Sequence, residues 1–322
     1  MKLLITGGAG YIGSHTLRIC QNLNFDVTVL DNFSTGHKSF VKDCEILEVD
    51  LLDKTKLSKK LKNRKFDGVI HFAAKSLVEE SVRKPEIYYQ NNVVGTLNLL
   101  DEMLQNNIEN LVFSSTAAIF GNPIENKITE SHPKKPINPY GKTKLIIEEL
   151  LKDFSFSHNM NVTSFRYFNA AGAANSGDIW ELRDPETHLI PNILNSVAKK
   201  TNNLKVYGNN YLTHDGTCIR DYLHVDDIAE AHILGLKKML NKKGFYEFNL
   251  GNGRGFSVLE IIKGCEKVLK RNIPYEVVER RAGDPDILVA DSKKVKNDLN
   301  WKPLHTDIFE IIETAWKWHS RQ

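Results

Sequence analysis

A tyrosine and a lysine lie four positions apart in the stretch NPYGKTK, as Tyr140 and Lys144. Pro139 suits a first helical turn, and residues four apart share one face of a helix. Free tyrosine, with a pKa of about 10, is a poor base at neutral pH, and we expect the Lys144 ammonium to lower that value. The pair then suits removal of a proton from a hydroxyl group. Taken alone, the same spacing is also that of an ordinary helix start with a surface tyrosine and lysine.

Three hydroxyl side chains, Ser114, Ser115 and Thr116, end the apolar run NLVFSS at 110–115 and begin the next turn. If that run is a strand, its hydroxyls reach the same sheet edge as Tyr140. We expect Thr116 or Ser115 to position a substrate hydroxyl whose proton Tyr140 takes.

The glycine-rich stretch GGAGYIG follows the first apolar run, with Gly7, Gly10 and Gly13 at a GxxGxxG spacing. Glycine lets the backbone turn tightly and approach a pyrophosphate, whose charge a helix N-terminus favours. Asp31 ends the next apolar run, 18 residues beyond Gly13. A carboxylate there accepts ribose hydroxyls and repels a 2′-phosphate, which favours NAD over NADP. A tight turn without a ligand would show the same glycines, but the strand, helix and acid around them favour a dinucleotide.

Two further strand ends fit this cofactor site. Asp50 and Leu51 are placed to hold the adenine edge, and the small residues of HFAA at 71–74 leave room for the cofactor backbone. A ligand is expected at the carboxyl ends of parallel strands. A positively charged nicotinamide beside Tyr140 would further lower the pKa of its phenol, so these parts together suit hydride transfer from a carbon that bears a hydroxyl.

The elements that position these residues alternate between strand and helix. Short β-branched runs bounded by turns are separated by stretches of helical periodicity, which predicts a doubly wound, mainly parallel, Rossmann-like α/β sheet. The predicted strands are 2–6, 26–30, 45–49, 68–72, 110–115 and 162–168, and the predicted helices are 12–23, 54–63, 86–106 and 139–158. Beyond about residue 170 the rhythm weakens. We therefore expect an NAD-binding domain at 1–170 and a smaller mixed α/β lobe at 171–322, with some segments returning to the main domain.

Composition excludes several classes of protein. The chain has 322 residues, 41% apolar and 26% charged, with a net charge of +3 and scattered basic doublets, so no nucleic-acid surface is expected. Four cysteines lie far apart without a CxxC pair, which predicts neither disulfides nor a metal site and favours the cytoplasm. No apolar run approaches the roughly 20 residues of a membrane span.

The motifs GGAGYIGSH, HFAA, SST, YGKTK, RYFNAAGA and RDYLHVDD resemble the extended short-chain dehydrogenase/reductase superfamily, and within it most closely the UDP-glucose 4-epimerases. The similarity runs over essentially the whole chain. It implies that NAD stays bound, that tyrosine takes the proton of the sugar 4-hydroxyl, and that the 4-keto sugar turns over and is reduced on its other face. It also implies a homodimer, with helices 86–106 and 139–158 between the subunits.

The resemblance assigns roles to residues of this chain. Tyr140 is the expected base, Lys144 its partner and Thr116 the hydroxyl that steadies the sugar O4. The residues expected to contact NAD are Gly7, Gly10, Tyr11, Ile12, Gly13, Asp31, Asn32, Asp50, Leu51, Phe72, Ala73, Ala74, Asn91, Ser114, Tyr140, Lys144 and Tyr167. The residues expected to contact the UDP-sugar are Thr116, Tyr140, Asn169, His188, Leu189, Tyr207, Arg220, Arg281, Asp284 and Leu288.

Departures from the family pattern sharpen the prediction. Ser76 stands where some bacterial relatives carry a lysine, and Thr116 where many carry serine. NDP-sugar dehydratases share the oxidation step but place carboxylates after the hydroxyl residue, where this chain has Ala117 and Ala118. An epimerase is therefore favoured over a dehydratase. The intact Tyr140 argues against a cofactor-sensing regulator that has lost catalysis.

Substrate breadth depends on Leu288, which aligns with a bulky tyrosine in glucose/galactose-restricted bacterial relatives. A smaller side chain leaves room for an N-acetyl group. We therefore expect UDP-GlcNAc and UDP-GalNAc to be accepted beside UDP-glucose and UDP-galactose. A UDP-GlcNAc-specific enzyme and one for a UDP-pentose stay open as alternatives.

Overall fold

The computed structural model describes residues 1–199, 204–281 and 284–320. Its main sheet has seven parallel strands in the order β10-β6-β5-β4-β1-β2-β3. Apolar side chains of these strands are buried on both faces, as a parallel sheet covered by helices requires. Numbered in chain order, the strands are β1 Lys2–Thr6, β2 Asp26–Asp31, β3 Glu45–Glu48, β4 Gly68–His71, β5 Asn110–Thr116, β6 Asn161–Tyr167 and β10 Phe245–Leu250.

Helices lie on both sides of this sheet, and each side has its own apolar core. Short 3₁₀ turns lie at Lys38–Phe40 and Ala117–Ile119, and a π turn at Tyr89–Val94 links α4 to α5. The helices are α1 Tyr11–Asn22, α2 Lys54–Leu61, α3 Val78–Arg83, α4 Pro85–Tyr88, α5 Gly95–Gln105, α6 Pro139–His158, α7 Leu189–Ala198, α8 Val225–Asn241, α9 Val258–Leu269, α10 Lys293–Leu299 and α11 Ile308–His319.

Smaller sheets lie in the C-terminal part of the chain. Strand β9 pairs with β7, β11 and β13, and β8 pairs with β12. Helices α7, α9 and α11 pack over a separate apolar core there. These strands are β7 Asn169–Ala171, β8 Lys205–Tyr207, β9 Ile219–His224, β11 Gly255–Ser257, β12 Glu276–Val278 and β13 Ile287–Leu288.

The predicted fold class is confirmed: a doubly wound parallel sheet carries a smaller mixed α/β part. The six predicted strands all form, with ends that differ by at most one residue. Strand β10, far along the chain, lies beside β6 in the main sheet with Phe245 opposite Val162. Among the described helices, none is both long and apolar enough to cross a membrane.

Candidate active site

The glycine turn lies between β1 and α1. A Cβ on Gly7, whose φ is +70°, would approach the backbone nitrogen of Ala73 to 2.5 Å, and one on Gly13 would approach the Gly7 oxygen to 2.2 Å. Both positions therefore require glycine. A Cβ on Gly10 would meet only the Gly7 oxygen, at 3.3 Å, so the space above Gly10 is open. The turn thus forms a cradle that a ligand can enter.

Three backbone amides at the start of α1 have no hydrogen-bond partner among the residues that the structure describes. Within α1 the Ser14 amide donates to the Gly10 oxygen at 2.9 Å, so the amides of Tyr11, Ile12 and Gly13 precede the first helical hydrogen bond. Gly10 caps the helix without a side-chain hydrogen bond. These donors and the positive end of the helix dipole suit a pyrophosphate, so the residues present fit NAD.

Asp31 ends β2 beside the turn. One carboxylate oxygen accepts the Ala9 amide at 3.0 Å and the other accepts the Phe33 amide at 2.8 Å. Burial raises the pKa of this carboxyl, and these amides oppose the shift. The neighbouring Asn32 donates to Asp50 at 2.8 Å, which joins the ends of β2 and β3. Each acid keeps the acceptor capacity that a ribose or an adenine edge requires.

The loop after β4 forms the other side of the cradle. The amides of Phe72 and Ala73 both donate to the Thr6 oxygen, at 2.9 and 3.2 Å, and Ala74 follows them. Asn91 reaches this loop indirectly: its amide donates to the Asn92 side chain at 2.9 Å, and Asn92 accepts the Lys75 backbone amide at 2.8 Å. Leu51 is buried at the adjoining strand end.

Tyr140, Thr116 and Lys144 meet at the carboxyl end of β5. The Asn138 side chain caps α6 by accepting the Gly141 amide at 2.8 Å, which sets where the helix begins. Tyr140 is only 8% exposed, and so is Thr116. The Lys144 amine donates to the Ser114 carbonyl at 2.8 Å and lies 4.8 Å above the Phe113 ring.

Electrostatics at this pair differ from the prediction. Burial raises the pKa of Tyr140 and Tyr167 adds to the rise, whereas a hydrogen bond with Thr116 and the charge of Arg183 lower it. Burial also lowers the pKa of Lys144 to about 7, against an opposing effect of Glu148. The expectation that Lys144 lowers the pKa of Tyr140 is therefore wrong for the chain without its cofactor, because desolvation dominates both groups.

Strand alternation separates the three hydroxyls. Ser114 lies 2.6 Å from the Tyr167 hydroxyl. Ser115 is fully buried and donates to Glu148 at 2.6 Å. The suggestion that Ser115 positions a substrate is therefore wrong, because neighbouring residues of a strand face opposite sides of the sheet. Glu148 also accepts three hydrogen bonds from the fully buried Arg166, one of them at 2.7 Å.

Arginines gather on the other side of the cleft. Arg220, on β9, donates to the Ile219 and Pro285 carbonyls at 2.9 Å and lies 3.5 Å from Asp284. The Arg281 guanidinium stacks 3.8 Å from the centre of the Tyr207 ring. Arg280, by contrast, pairs with Asp286, as expected of a surface salt bridge.

Leu288 connects this side to the catalytic turn. On β13 it lies opposite Arg220 in the sheet register. Its partly buried side chain packs against the apolar cluster that includes Ala117 and Phe120, directly after Thr116. Asn169 lies on β7 opposite Tyr222.

The stretch after β7 brings residues to the cleft that the sequence did not predict. Its Glu181 is almost completely buried and pairs with both His188 and Arg183. Burial alone would raise the pKa of Glu181, but His188 and Arg183 lower it to about 2. Leu189 begins α7 and packs on the C-terminal core. Arg183 lies in the charged stretch RDPETH, which has neither helical nor strand periodicity, so the sequence carries no signal for it.

Two histidines, His71 and His224, are buried in hydrogen-bond networks. His71 lies between the Thr6 and Thr96 hydroxyls at 2.6 and 2.9 Å, and burial lowers its pKa to about 3. His224 caps α8, and burial lowers its pKa to about 4. Neither ring is free to exchange protons with a ligand.

The pattern of glycine turn, Asp31 and Tyr140 agrees with comparisons of the whole chain. Residues 3–251 match the NAD-dependent epimerase/dehydratase family. The chain belongs to this family. Its cofactor is therefore NAD, in agreement with the fit of the cradle.

Relatives within the family are similar over their full length. The chain is 48% identical over 320 residues to the UDP-glucose 4-epimerase of Lactobacillus helveticus, covering 99% of this chain and 97% of that protein. A UDP-glucose 4-epimerase from Bifidobacterium longum, solved with NAD⁺ and UDP, is 35% identical with a TM-score of 0.95, covering 100% of this chain and 99% of that one. The UDP-Glc/GlcNAc 4-epimerase of Campylobacter jejuni is 39% identical with a TM-score of 0.87, again covering 100% and 99%.

Proposed function

We propose that this chain is an NAD-dependent epimerase that interconverts UDP-glucose and UDP-galactose by inverting C4. The observation that carries the proposal is the buried Tyr140 beside Thr116 and Lys144, at the strand ends that also form the NAD cradle. The similarity to UDP-glucose 4-epimerases over the full chain supports the same reaction.

The two parts of the chain divide the ligands between them. We propose that residues 1–170 hold NAD through the strand-end residues named above, and that 171–322 mainly hold the UDP-sugar. Arg220 and Arg281 suit the diphosphate, because a guanidinium fork matches paired phosphate oxygens. Asp284 lies beside Arg220 and suits a ribose hydroxyl. Asn169, His188, Leu189 and Tyr207 complete the proposed nucleotide pocket.

Bound NAD supplies hydride acceptance and return at the sugar C4. Thr116 holds the sugar 4-hydroxyl toward Tyr140, whose phenolic oxygen takes the proton. The Lys144 amine donates to the Ser114 carbonyl at 2.8 Å, which fixes its position one helical turn after Tyr140. When the 4-keto sugar has turned over, Tyr140 would return the proton to O4 as the hydride is returned to C4, so the reaction has no net redox change.

Ala117 and Ala118 support epimerisation over dehydration. Elimination of water from the 4-keto sugar requires an additional acid and base beside the hydroxyl residue. The two alanines supply neither, and the nearby Glu148 is occupied by Arg166 and Ser115. The ketone is therefore reduced again.

We further propose that UDP-GlcNAc and UDP-GalNAc are substrates. Leu288 packs beside the 117–120 turn and opposite Arg220, so its size bears on the space next to the sugar. The similarity to the Campylobacter jejuni UDP-Glc/GlcNAc 4-epimerase supports this breadth.

The test is a coupled assay of four UDP-sugars, namely UDP-glucose, UDP-galactose, UDP-GlcNAc and UDP-GalNAc, with purified chain and no added NAD. Turnover of both pairs is expected. Turnover of the acetylated pair alone, or of a UDP-pentose alone, would replace the proposed substrate. No turnover of any UDP-sugar by protein that carries NAD would favour a cofactor-sensing regulator.

The variant Leu288→Tyr tests in the same assay whether the size of residue 288 decides if acetylated sugars are accepted. We expect this variant to lose roughly tenfold or more in kcat/KM on the acetylated pair, because a clash in a filled pocket costs about 1–3 kcal/mol. Its rate on the unacetylated pair should stay within about threefold. The matched control is Leu288→Met, which keeps side-chain volume and should leave both pairs unchanged. Equal losses on both pairs in Leu288→Tyr would indicate general damage and remove Leu288 from substrate selection.

We also propose a homodimer and a cytoplasmic location. Apolar side chains are exposed on the helices predicted to lie between subunits, with Leu97 38% and Ile146 42% exposed. The cysteines are unpaired, as a reducing compartment permits. Sedimentation at twice the mass of one chain is the expected result, and a monomer at micromolar concentration would contradict it.

A further inference from the structure

The irregular stretch 172–188, named here the crossing segment, runs over the glycine turn. It is held at one point by the Tyr11 hydroxyl, which donates to the Gly172 carbonyl at 2.6 Å. Farther along, the Leu182 carbonyl lies 3.2 Å from His37, in the loop after β2. The next residue, Arg183, donates to Ser76 at 3.3 Å, in the loop after β4.

The order of the strands fixes what lies between those contacts. Strand β1 lies between β2 and β4 in the sheet, so the loops after β2 and β4 flank the glycine turn after β1. Residues 182–183 span from one flanking loop to the other. The crossing segment therefore passes over the open cradle above Gly10, where the pyrophosphate of a dinucleotide belongs.

Arg183 presents a guanidinium to this space. Its Nε donates to Glu181 at 2.8 Å and one terminal nitrogen to Ser76, while the other terminal nitrogen has no hydrogen bond to any described residue. Burial raises the pKa of Tyr11 and of Tyr140, and the positive charge of Arg183 opposes both shifts. The arginine thus faces the inside of the cleft and keeps donors available.

The glycine turn itself carries no charged side chain, since residues 7–13 read GGAGYIG. Backbone amides can hydrogen-bond a pyrophosphate, but a helix N-terminus carries only about half an elementary positive charge, which leaves most of the negative charge uncompensated. We propose that Arg183 binds the pyrophosphate of NAD from the crossing segment, held in place by Glu181 and Ser76. This inference rests on the proposed cofactor site, and it adds a ligand-binding residue to that site.

The experiment compares dissociation constants for wild type and Arg183→Gln, stripped of cofactor, with NAD, ADP-ribose and adenosine as probes. The NAD content of each protein as purified is a second readout. Loss of a charged hydrogen bond should weaken NAD and ADP-ribose about 10- to 100-fold alike, because both carry the pyrophosphate. Adenosine, which lacks phosphate, should bind both proteins equally. UDP should also bind both equally, because Arg220 and Arg281 hold the other diphosphate.

A second substitution that restores NAD affinity distinguishes a direct contact of Arg183 with the pyrophosphate from a general loosening of the crossing segment. Arg183→Gln with Ser76→Lys places an ammonium at the hydroxyl that Arg183 now contacts, and should recover NAD affinity to within about tenfold of wild type. The matched control is Arg18→Gln, which removes the 2.6 Å ion pair between α1 and Asp178 of the crossing segment but leaves the cleft charge intact. This control should keep wild-type affinity for NAD and ADP-ribose.

Several outcomes would overturn the inference. They are NAD affinity in Arg183→Gln within about twofold of wild type, loss confined to NAD with ADP-ribose unaffected, loss of UDP affinity instead, or an equal loss in Arg18→Gln without rescue by Ser76→Lys. A wild-type chain that binds no NAD would instead overturn the proposed function, so the two failures are distinguishable.

Discussion

The proposed cofactor side and the proposed sugar-nucleotide side of the cleft are built in different ways. The cofactor side is a shape made of backbone: Gly7 and Gly13 leave no room for a Cβ, and Gly10 opens the cradle. The sugar-nucleotide side is made of charged side chains, with Arg220 on β9 and Arg281 stacked on Tyr207. We therefore expect NAD binding to be lost when side-chain atoms are added to the glycine turn. We expect UDP-sugar binding to weaken when a charged side chain is removed.

Tyr140 lies where the two sides meet, so its loss should have the largest effect. We expect Tyr140→Phe to lower kcat by roughly 100- to 10,000-fold, the range of a general acid–base group, while NAD remains bound. The phenyl ring keeps the buried volume and loses only the hydroxyl. The measurement is the coupled assay together with NAD content per chain. Turnover within a few-fold of wild type would remove Tyr140 from the mechanism, and loss of NAD would show a structural defect.

Two variants, one on each side of the cleft, test whether the two sides bind their ligands independently. Gly10→Val adds atoms to the open cradle and should abolish NAD retention. Its unfolding temperature should match that of wild type stripped of NAD, because a Cβ there meets only one atom closely. Arg281→Gln removes a charged donor and should raise KM for the UDP-sugar about 10- to 100-fold with NAD retained.

The readouts are NAD content, KM and thermal unfolding of both proteins. If Arg281→Gln lost NAD, or if Gly10→Val kept NAD and raised KM alone, the two sides would not be separable as described. The matched control is Arg280→Gln, since Arg280 pairs with Asp286 at the surface and should leave both ligands unaffected.

The difference between the two sides of the cleft also explains which parts of the structure could be predicted from the sequence. Strands β1, β2, β4 and β5 follow one another as alternating runs, so their carboxyl ends and the residues on them were predictable to within a residue. The sequence predicts that some C-terminal segment returns to the main domain, but it does not identify β10 as the partner of β6. A parallel partner far along the chain leaves no local signal in the sequence. The two-residue β13 was not predicted at all, since so short a run has no periodicity.

Within the site, the misses have physical causes. The opposite direction of Ser115 follows from strand alternation and was available from the sequence once β5 was assigned. The raised pKa of Tyr140 was not, because desolvation depends on tertiary burial. Arg183 was missed because the crossing segment has neither helical nor strand periodicity, and only the strand order shows what it passes over.

The smallest predicted effect is the pH dependence of stability, and it too separates the two sides. Burial lowers the pKa of Lys144 to about 7 in the NAD-free chain, whereas an unfolded lysine titrates near about 10.4. Between those values the unfolded chain binds one proton more, so the free energy of unfolding should rise as pH increases from 7 to 10. Lys144→Met removes this titration, so its gain in Tm over wild type should be largest near pH 7 and shrink toward pH 10. In a chain of this size, about 1 kcal/mol shifts Tm by roughly 2 °C.

Arg281→Met is the matched control from the sugar side. The Arg281 guanidinium does not titrate in this range, so the Tm of this variant should run parallel to that of wild type. A Tm difference for Lys144→Met that is constant across pH would show that the amine keeps one protonation state, and that the charge beside Tyr140 is fixed before NAD arrives.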